Sequence, residues 1–360
     1  VSIRAARTEA ASKLAFGDDV EVQSPASFEE LSLLLEAASA SQRKALIWGG
    51  GTHQGIGFRV EPDLVILTRR LNRLIDWEPD DLTVVVEAGV TAADLELELA
   101  TRRQTCALTE AKTEATVGGL LAAGVSGYRR ARYGPVRDRV LEVTVVTGDG
   151  RLVRGGGRVV KNVTGYDLPR LVVGAHGSMG VIVSTCLKLW PLPAATATVT
   201  LDPTETVDVY RPLAVLDDGQ STRVYLGGTE AEIKNELSRL RGDSVEGLFW
   251  PSLPESSWQF SLRVPPASAP TLLKQLPRDS AFLHQVGVGE VAIAAPSTDG
   301  MAIVREAAEG VGGALVVTRR GTGAFHPWGT APASLGLQRR LIAAFDPARV
   351  LNPGRLPGGL

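Results

Sequence analysis

Three stretches of this 360-residue chain combine glycine with small and polar residues in a way that bears on chemistry. "ALIWGGGTHQGIG" (45–57) is an apolar run that stops at Gly49, Gly50 and Gly51, with Thr52, His53 and Gln54 directly behind. "ATVGGLLAAGVSG" (115–127) and "GAHGSMGVI" (174–182) follow. A strand running into glycines offers bare backbone, and consecutive N–H groups turned inward make an anion nest. A glycine cluster is equally a plain loop signal. The dinucleotide pattern G-x-G-x-x-G fails, because its sixth place holds Gln54 counted from Gly49 and Val60 counted from Gly55. No G-x-x-x-x-G-K-[ST] occurs, and neither Ser126 nor Ser178 has glycine at both −2 and +2, so phosphoryl transfer and a nucleophile elbow are excluded. Three small-residue loops suit one long ligand with several parts, such as a dinucleotide cofactor bound through backbone.

Other reactive residue types are sparse. Cys106 and Cys186 form no CxxC, and His53, His176, His284 and His326 are scattered, so no metal site and no four-thiolate cluster is expected. Buried structural thiols in a reducing cytoplasm are the plain reading. A net charge of −2 argues against nucleic acid. The start, "VSIRAARTEAASKLAFGDD", lacks the pattern of a secretory signal. The apolar run 171–187 is interrupted by "GAHGSMG" and is not expected to span a membrane.

The elements that must position these loops can be read from periodicity and capping signals. Strands are expected at 19–25, 44–48, 63–68 and 82–89, with helices opened by the Ser27/Glu30 and Thr91/Asp94 boxes. A hairpin is expected over 139–156, turning at Gly148-Asp149-Gly150. The prolines of "WPLP" (190–193) predict a boundary. Beyond it, a strand at 222–229 and a helix behind it precede β-α-β-β-α-β over 258–320, a ferredoxin-like order. The tail is a helix followed by proline-punctuated loop, and no internal repeat is evident. The expected organisation is α+β, with units at 1–195, 196–330 and 331–360.

"WGGGT", "DLVILTRRLNRL", "ATVGGLLAAGVSG", "GAHGSMGVIVSTCLKLWPLP" and "FDPARVLNPGR" occur in an order that resembles the vanillyl-alcohol-oxidase (PCMH-type) family of FAD-binding proteins. In "GGRVVKNVTGYDLPRLVVGAHGSMGVI" and the closing "FDPARVLNPGR" the chain is similar to the FAD-binding subunits of bacterial glycolate oxidases. The resemblance implies a PCMH-type domain of two α+β subdomains and then a ferredoxin-like α+β domain. It implies that Gly49, Gly50, Gly51 and Thr52 form the pyrophosphate loop, followed by His53 and Gln54 and flanked by Thr68 and Leu71. Thr116, Gly118, Gly119, Gly124 and Gly127 would run beside pyrophosphate and isoalloxazine. Gly177, Ser178, Gly180, Val181 and Ile182 would lie near ribose and adenine, and Asn352 would return towards the ring. Covalent relatives carry histidine directly after the glycines. Thr52 stands there, so noncovalent FAD is expected.

In such a protein the flavin accepts a hydride from the hydroxyl-bearing carbon of a 2-hydroxy acid, while the protein binds the carboxylate and takes a proton. Arg319, Arg320 and Arg355 are candidates for the carboxylate, each also an ordinary solvated arginine. Tyr166, in a cluster with Lys161, Asn162 and Asp167, and His326 are candidate proton acceptors, each with a packing or loop alternative. The resemblance implies a homologous FAD subunit and an iron–sulfur subunit as partners, in the cytoplasm or held on the inner face of the membrane through the complex. The alternatives are a flavin-bearing assembly subunit with catalysis on the homologous chain, and a stand-alone oxidoreductase of another alcohol or sugar.

Overall fold

The computed structural model describes residues 20–108, 110, 114–158, 166–203 and 207–360. Strands β1 (Glu21–Gln23), β2 (Ala45–Trp48) and β3 (Leu64–Leu67) form a parallel sheet in the order β1-β3-β2. Helix α1 (Phe28–Ala40) links β1 to β2, as parallel strands require a crossover. Leu31, Leu35 and Ala38 recur on one face and pack with Ala45, Leu64 and Ile66. Ser27 Oγ accepts from Glu30 N at 3.2 Å. The return bond differs from the expected box, because Glu30 Oε2 reaches Ala26 N at 2.7 Å, one residue further back.

An antiparallel sheet follows, built from β4 (Leu74–Glu78), β5 (Thr83–Glu87), β7 (Val140–Val146), β8 (Leu152–Gly156) and β9 (Val181–Lys188), in the order β4-β5-β9-β7-β8. Short β6 (Gln104–Thr105) pairs with β10 (Trp190–Pro191). Pro191 therefore sits inside a ladder, which corrects the expectation that the prolines of "WPLP" stop pairing. Two residues at a margin have no further ladder bond for the ring to remove. Helices α2 (Ala92–Ala100), α3 (Val117–Ala123), α4 (Arg130–Tyr133) and α5 (Leu168–Val172) accompany this sheet. Its core joins Val86, Leu95, Leu99, Leu120 and Val143.

The third sheet has eight strands, all antiparallel: β11 (Ala195–Leu201), β12 (Ala214–Asp217), β13 (Thr222–Gly228), β14 (Asp243–Glu246), β15 (Trp258–Arg263), β16 (Ala281–Gln285), β17 (Glu290–Ala295) and β18 (Ala314–Arg319). The order is β14-β11-β13-β12-β16-β17-β15-β18. With α7 (Ala269–Leu273) and α8 (Met301–Gly310), β15–β18 form the expected β-α-β-β-α-β unit. The other four strands repeat its order. Counted along the chain, each half reads fourth, first, third, second from its outer edge, and the second strands meet at β12 and β16. The first half has one helix, α6 (Glu230–Arg239), and no helix among the described residues between β11 and β12. This duplication of topology has no counterpart in sequence.

Helix α9 (Leu335–Phe345) leads to a tail that returns to the parallel sheet. Leu351 bridges Ala45 in parallel, with Ala45 N donating to Val350 O at 2.7 Å and Asn352 N to Ala45 O at 2.8 Å. The tail thus extends the sheet beyond β2.

Candidate functional site

A cleft of about 70 Å³ opens at the carboxyl ends of β2 and β3, walled by α3 and the loop into β9. Carboxyl ends of parallel strands are where open sheets bind ligands. Lining it are Gly49, Gly50, Gly51, Thr52, His53, Gln54, Thr68, Gly118, Gly119, Gly177, Gly180, Val181, Ile182 and Asn352 of the sequence-predicted set, joined by Ile47, Ala122, Ala123, His176 and Arg355.

The glycines are needed for a reason besides the one expected. A Cβ on Gly50 would fall on the Glu114 carbonyl oxygen, and one on Gly49 on Thr116 Oγ1. Gly51 has φ +75° and lies against the Trp48 indole. Side chains here would collide with the protein behind the loop, whatever the cleft contains. Among the described residues the amides of Gly50 and Gly51 meet no acceptor, so the loop still offers donors. The start of α3 does not. Val117 N and Gly118 N donate to Val90 O and Ala88 O, each at 2.8 Å, and Gly119 N donates to the Thr116 cap at 3.1 Å. Helix α3 therefore contributes a smooth wall of Gly118, Gly119, Ala122 and Ala123.

Five expected contacts lie off the cleft. Leu71 is core, Thr116 is the buried α3 cap, and Gly124 is its left-handed C-cap at φ 66°. Gly127 lies against the Glu110 carboxylate, and Ser178 Oγ is turned inward, donating to Ala175 O at 2.7 Å.

Asn352, only 2% exposed, bonds at both ends of its amide. Its Oδ1 accepts from Ile47 N at 3.0 Å and its Nδ2 donates to His176 O at 2.8 Å. It clips the tail to both walls of the cleft it lines. Gln54 Nε2 donates to Ile47 O at 2.9 Å, and its Oε1 accepts from Arg355 Nη2 at 2.6 Å. Thr52 Oγ1 and His53 Nδ1 lie 2.9 Å apart.

The proposed catalytic side chains are elsewhere. Tyr166 is 97% exposed and does not line the cleft. His326 is exposed, its Nδ1 accepting from Gly329 N at 3.0 Å. Arg319 and Arg320 are exposed, with Arg320 reaching Gly57 O at 3.3 Å. Asp167 caps α5 and pairs with Arg170 at 3.1 Å. Lys161 and Asn162 lie outside the described residues. Tyr166, Arg320 and His326 sit on loops whose direction a sequence does not specify. Of the three arginines considered for a carboxylate, Arg355 is the one on the cleft.

His176 was not singled out from sequence; its place inside "GAHG" was the available signal. It adopts φ 51°, donates its amide to Ala122 O at 2.8 Å and meets Trp328 edge-on at 5.4 Å. Burial, with Arg355 and other cations nearby, pushes its pKa down to about 3, so the imidazole is neutral at physiological pH. His176 and Ala123 also line a second cavity of about 560 Å³, between the cleft's loops, α9 and the eight-stranded sheet. At its edge Glu290 joins Arg130 at 2.7 Å and Arg263 at 3.6 Å.

Among the described residues no group of three His, Cys, Asp or Glu could hold a metal, and no helix is long and apolar enough to cross a membrane. Cys106 and Cys186 are buried, and burial raises both thiol pKa values.

The residues present fit FAD: open amides at Gly50 and Gly51, a buried Arg355 Nε without an acceptor, and small residues along α3. The match to known proteins agrees. Residues 21–156 match the family described as FAD binding domain. The fold resembles alkyldihydroxyacetonephosphate synthase in two crystal forms, with TM-scores of 0.66 and 0.67 at 15% and 14% identity, covering 92% and 96% of this chain and 75% and 80% of those chains. The family match spans the part of the chain that carries the glycine loop and α3, and the likeness to the solved structures is one of fold.

It is 29% identical over 309 residues to glycolate oxidase subunit GlcE of Escherichia coli, covering 79% of this chain and 84% of that protein. It is 33% identical to the D-lactate dehydrogenase of Archaeoglobus fulgidus over 47% of this chain and 38% of that protein. Against glycolate oxidase subunit GlcD of Bacillus subtilis the figures are 30%, 48% and 37%. The proteins it resembles are thus named as two glycolate oxidase subunits and a D-lactate dehydrogenase.

Proposed function

We propose that this chain is the FAD-binding subunit of a complex that oxidises glycolate or a similar 2-hydroxy acid, with electrons passing to an iron–sulfur partner beside a homologous FAD subunit. The observation that carries this reading is the likeness to GlcE over 84% of that protein, combined with a cleft made from backbone donors and one buried cation. Bound FAD supplies the hydride acceptor. The chain's own residues supply the rest: Gly50 and Gly51 donate to phosphate oxygens, α3 and Val181–Ile182 give a flat apolar wall, and the Gln54–Arg355 pair carries positive charge. Thr52, in the place where covalent relatives carry histidine, supports noncovalent attachment. The division at 195 and 330 belongs to the same reading, supported by β11 beginning at Ala195 and β18 ending at Arg319. So does a cytoplasmic place, or one on the inner membrane face through the complex.

A second reading has an observation in its favour. No carboxylate and no tyrosine lines the cleft among its described residues, and its histidines are His53 and the neutral His176. That sparse set suits a flavin-bearing assembly subunit whose homologous partner does the chemistry. Anaerobic mixing of the flavin-loaded chain with glycolate separates the two. Bleaching of the isolated chain is the expected result, whereas bleaching confined to the reconstituted complex selects the assembly role. Acid precipitation of the same sample should leave the yellow colour in the supernatant; a yellow pellet means a covalent bond.

A further inference from the structure

Three arginines are buried among the described residues: Arg69, Arg139 and Arg355. The protein itself accounts for two of them. Arg69 donates to the Glu114 carboxylate at 3.3 Å and to the Glu114 carbonyl at 3.4 Å. Arg139, with no exposed surface, directs its nitrogens at the carbonyl oxygens of Gly134 and Ala107.

Arg355 is different. It is 6% exposed and lines the cleft. One nitrogen, Nη2, is held by Gln54 Oε1 at 2.6 Å, and Gln54 is fixed in turn on Ile47 O. The buried Nε has no acceptor, and no carboxylate of the described residues pairs with the guanidinium. Burial lowers its pKa to about 10, which leaves it charged at neutral pH. A buried cation with no counter-charge is unfavourable until an anion arrives, and the planar fork of a guanidinium suits a carboxylate or phosphate. The Gln54 bond adds direction, since it fixes how the fork is turned. The carbonyl of Arg355 accepts from Phe58 N at 3.0 Å and Trp328 Nε1 at 2.8 Å, so the backbone beneath it is also held.

We propose that Arg355 is the anion-binding residue of this cleft, with Gln54 as its positioning residue, and that it receives an oxyanion carried by the cleft's occupant. That anion is either the diphosphate of FAD or the carboxylate of a 2-hydroxy acid, and the assignment rests on the flavin reading of the cleft.

The test uses the whole chain, wild type and Arg355→Gln. FAD and riboflavin are titrated into flavin-free protein by fluorescence quenching, and glycolate into flavin-loaded protein by difference absorbance. A loss of FAD affinity of tenfold or more with riboflavin unchanged supports the diphosphate. Unchanged FAD affinity with glycolate binding weakened tenfold or more supports the carboxylate. Ligand affinities equal to wild type, or FAD and riboflavin weakened by one common factor, overturn the proposal. Arg355→Lys keeps the charge without the fork, so it should shift the same ligand as Arg355→Gln by a smaller factor; should the glutamine variant not fold, this variant decides alone. If wild type binds no flavin, the flavin reading fails separately. A rise in unfolding temperature with inorganic pyrophosphate or acetate, present in wild type and absent in Arg355→Lys, would then still support Arg355. No such rise would overturn both.

Discussion

His176 is the residue whose state most depends on its surroundings. Its folded pKa of about 3 lies below the ~6.5 of a free histidine, because burial penalises the imidazolium. Between those values the unfolded chain binds a proton that the native chain refuses. Native stability is therefore full above about pH 6.5 and falls as the pH drops towards 3. The substitution His176→Asn removes the titration while keeping a residue that tolerates φ 51°. The urea midpoint of this variant should fall less steeply than wild type across that window; equal slopes would show that His176 is solvated. Asn352 illustrates the opposite use of a polar side chain, since its two partners, Ile47 and His176, fix walls that belong to distant parts of the chain.

At the scale of elements, the glycine loop connects sequence to site in a way that changes what a substitution does. Because Gly50 lies against the Glu114 carbonyl, Gly50→Val must displace the loop from the segment leading into α3. Flavin retention should be lost, while the far-ultraviolet circular dichroism stays near wild type. His53→Ala should retain flavin; loss in both variants alike would point to general damage to the cleft. Amphipathic elements were legible in the sequence because one face is apolar: α1, β5, β7, and the strands and helices of 258–320. The exposed edge strands β4 and β14 were not. In β4, Leu74 and Ile75 are exposed, and β14 is exposed throughout, so neither shows the alternation that marks a buried face. The cleft-lining glycines were legible as a set. The role of each was not, since a glycine admits either a ligand or a neighbouring chain, and only the three-dimensional packing shows which. Side chains on loops, Tyr166 and His326 among them, had no periodic constraint to reveal their direction.

For the whole molecule, the eight-stranded sheet is tied to the flavin side by a small number of polar links. Glu290, between Arg130 and Arg263, is the clearest, with a side chain only 15% exposed. Glu290→Ala removes a partly buried pair and should cost about 1 kcal/mol, the upper part of the range for ion pairs that are not fully buried. The larger cavity borders the flavin cleft at His176 and Ala123, so loosening this junction should also speed flavin release at least twofold in a stopped-flow displacement experiment. An unchanged rate would mean that the apolar contacts of Ile56 and Ala123 with Val316 suffice. The repeated strand order of the two halves escaped sequence reading because hydrogen-bonded topology can be duplicated without similar side chains.

The tail segment at 350–352 has a consequence for how the protein comes into being. Asn352 bonds to Ile47 across 305 positions of sequence, and Arg355 bonds to Gln54 across 301. Contacts this remote form only after the intervening chain has been made, and an emerging chain adds only ~5–20 residues per second. The glycine loop can fold early in synthesis, yet its far wall leaves the ribosome only after the 305 positions that separate Asn352 from Ile47. Cofactor capture is thereby deferred until the tail has emerged, and a fragment truncated before Asn352 should accumulate as colourless protein.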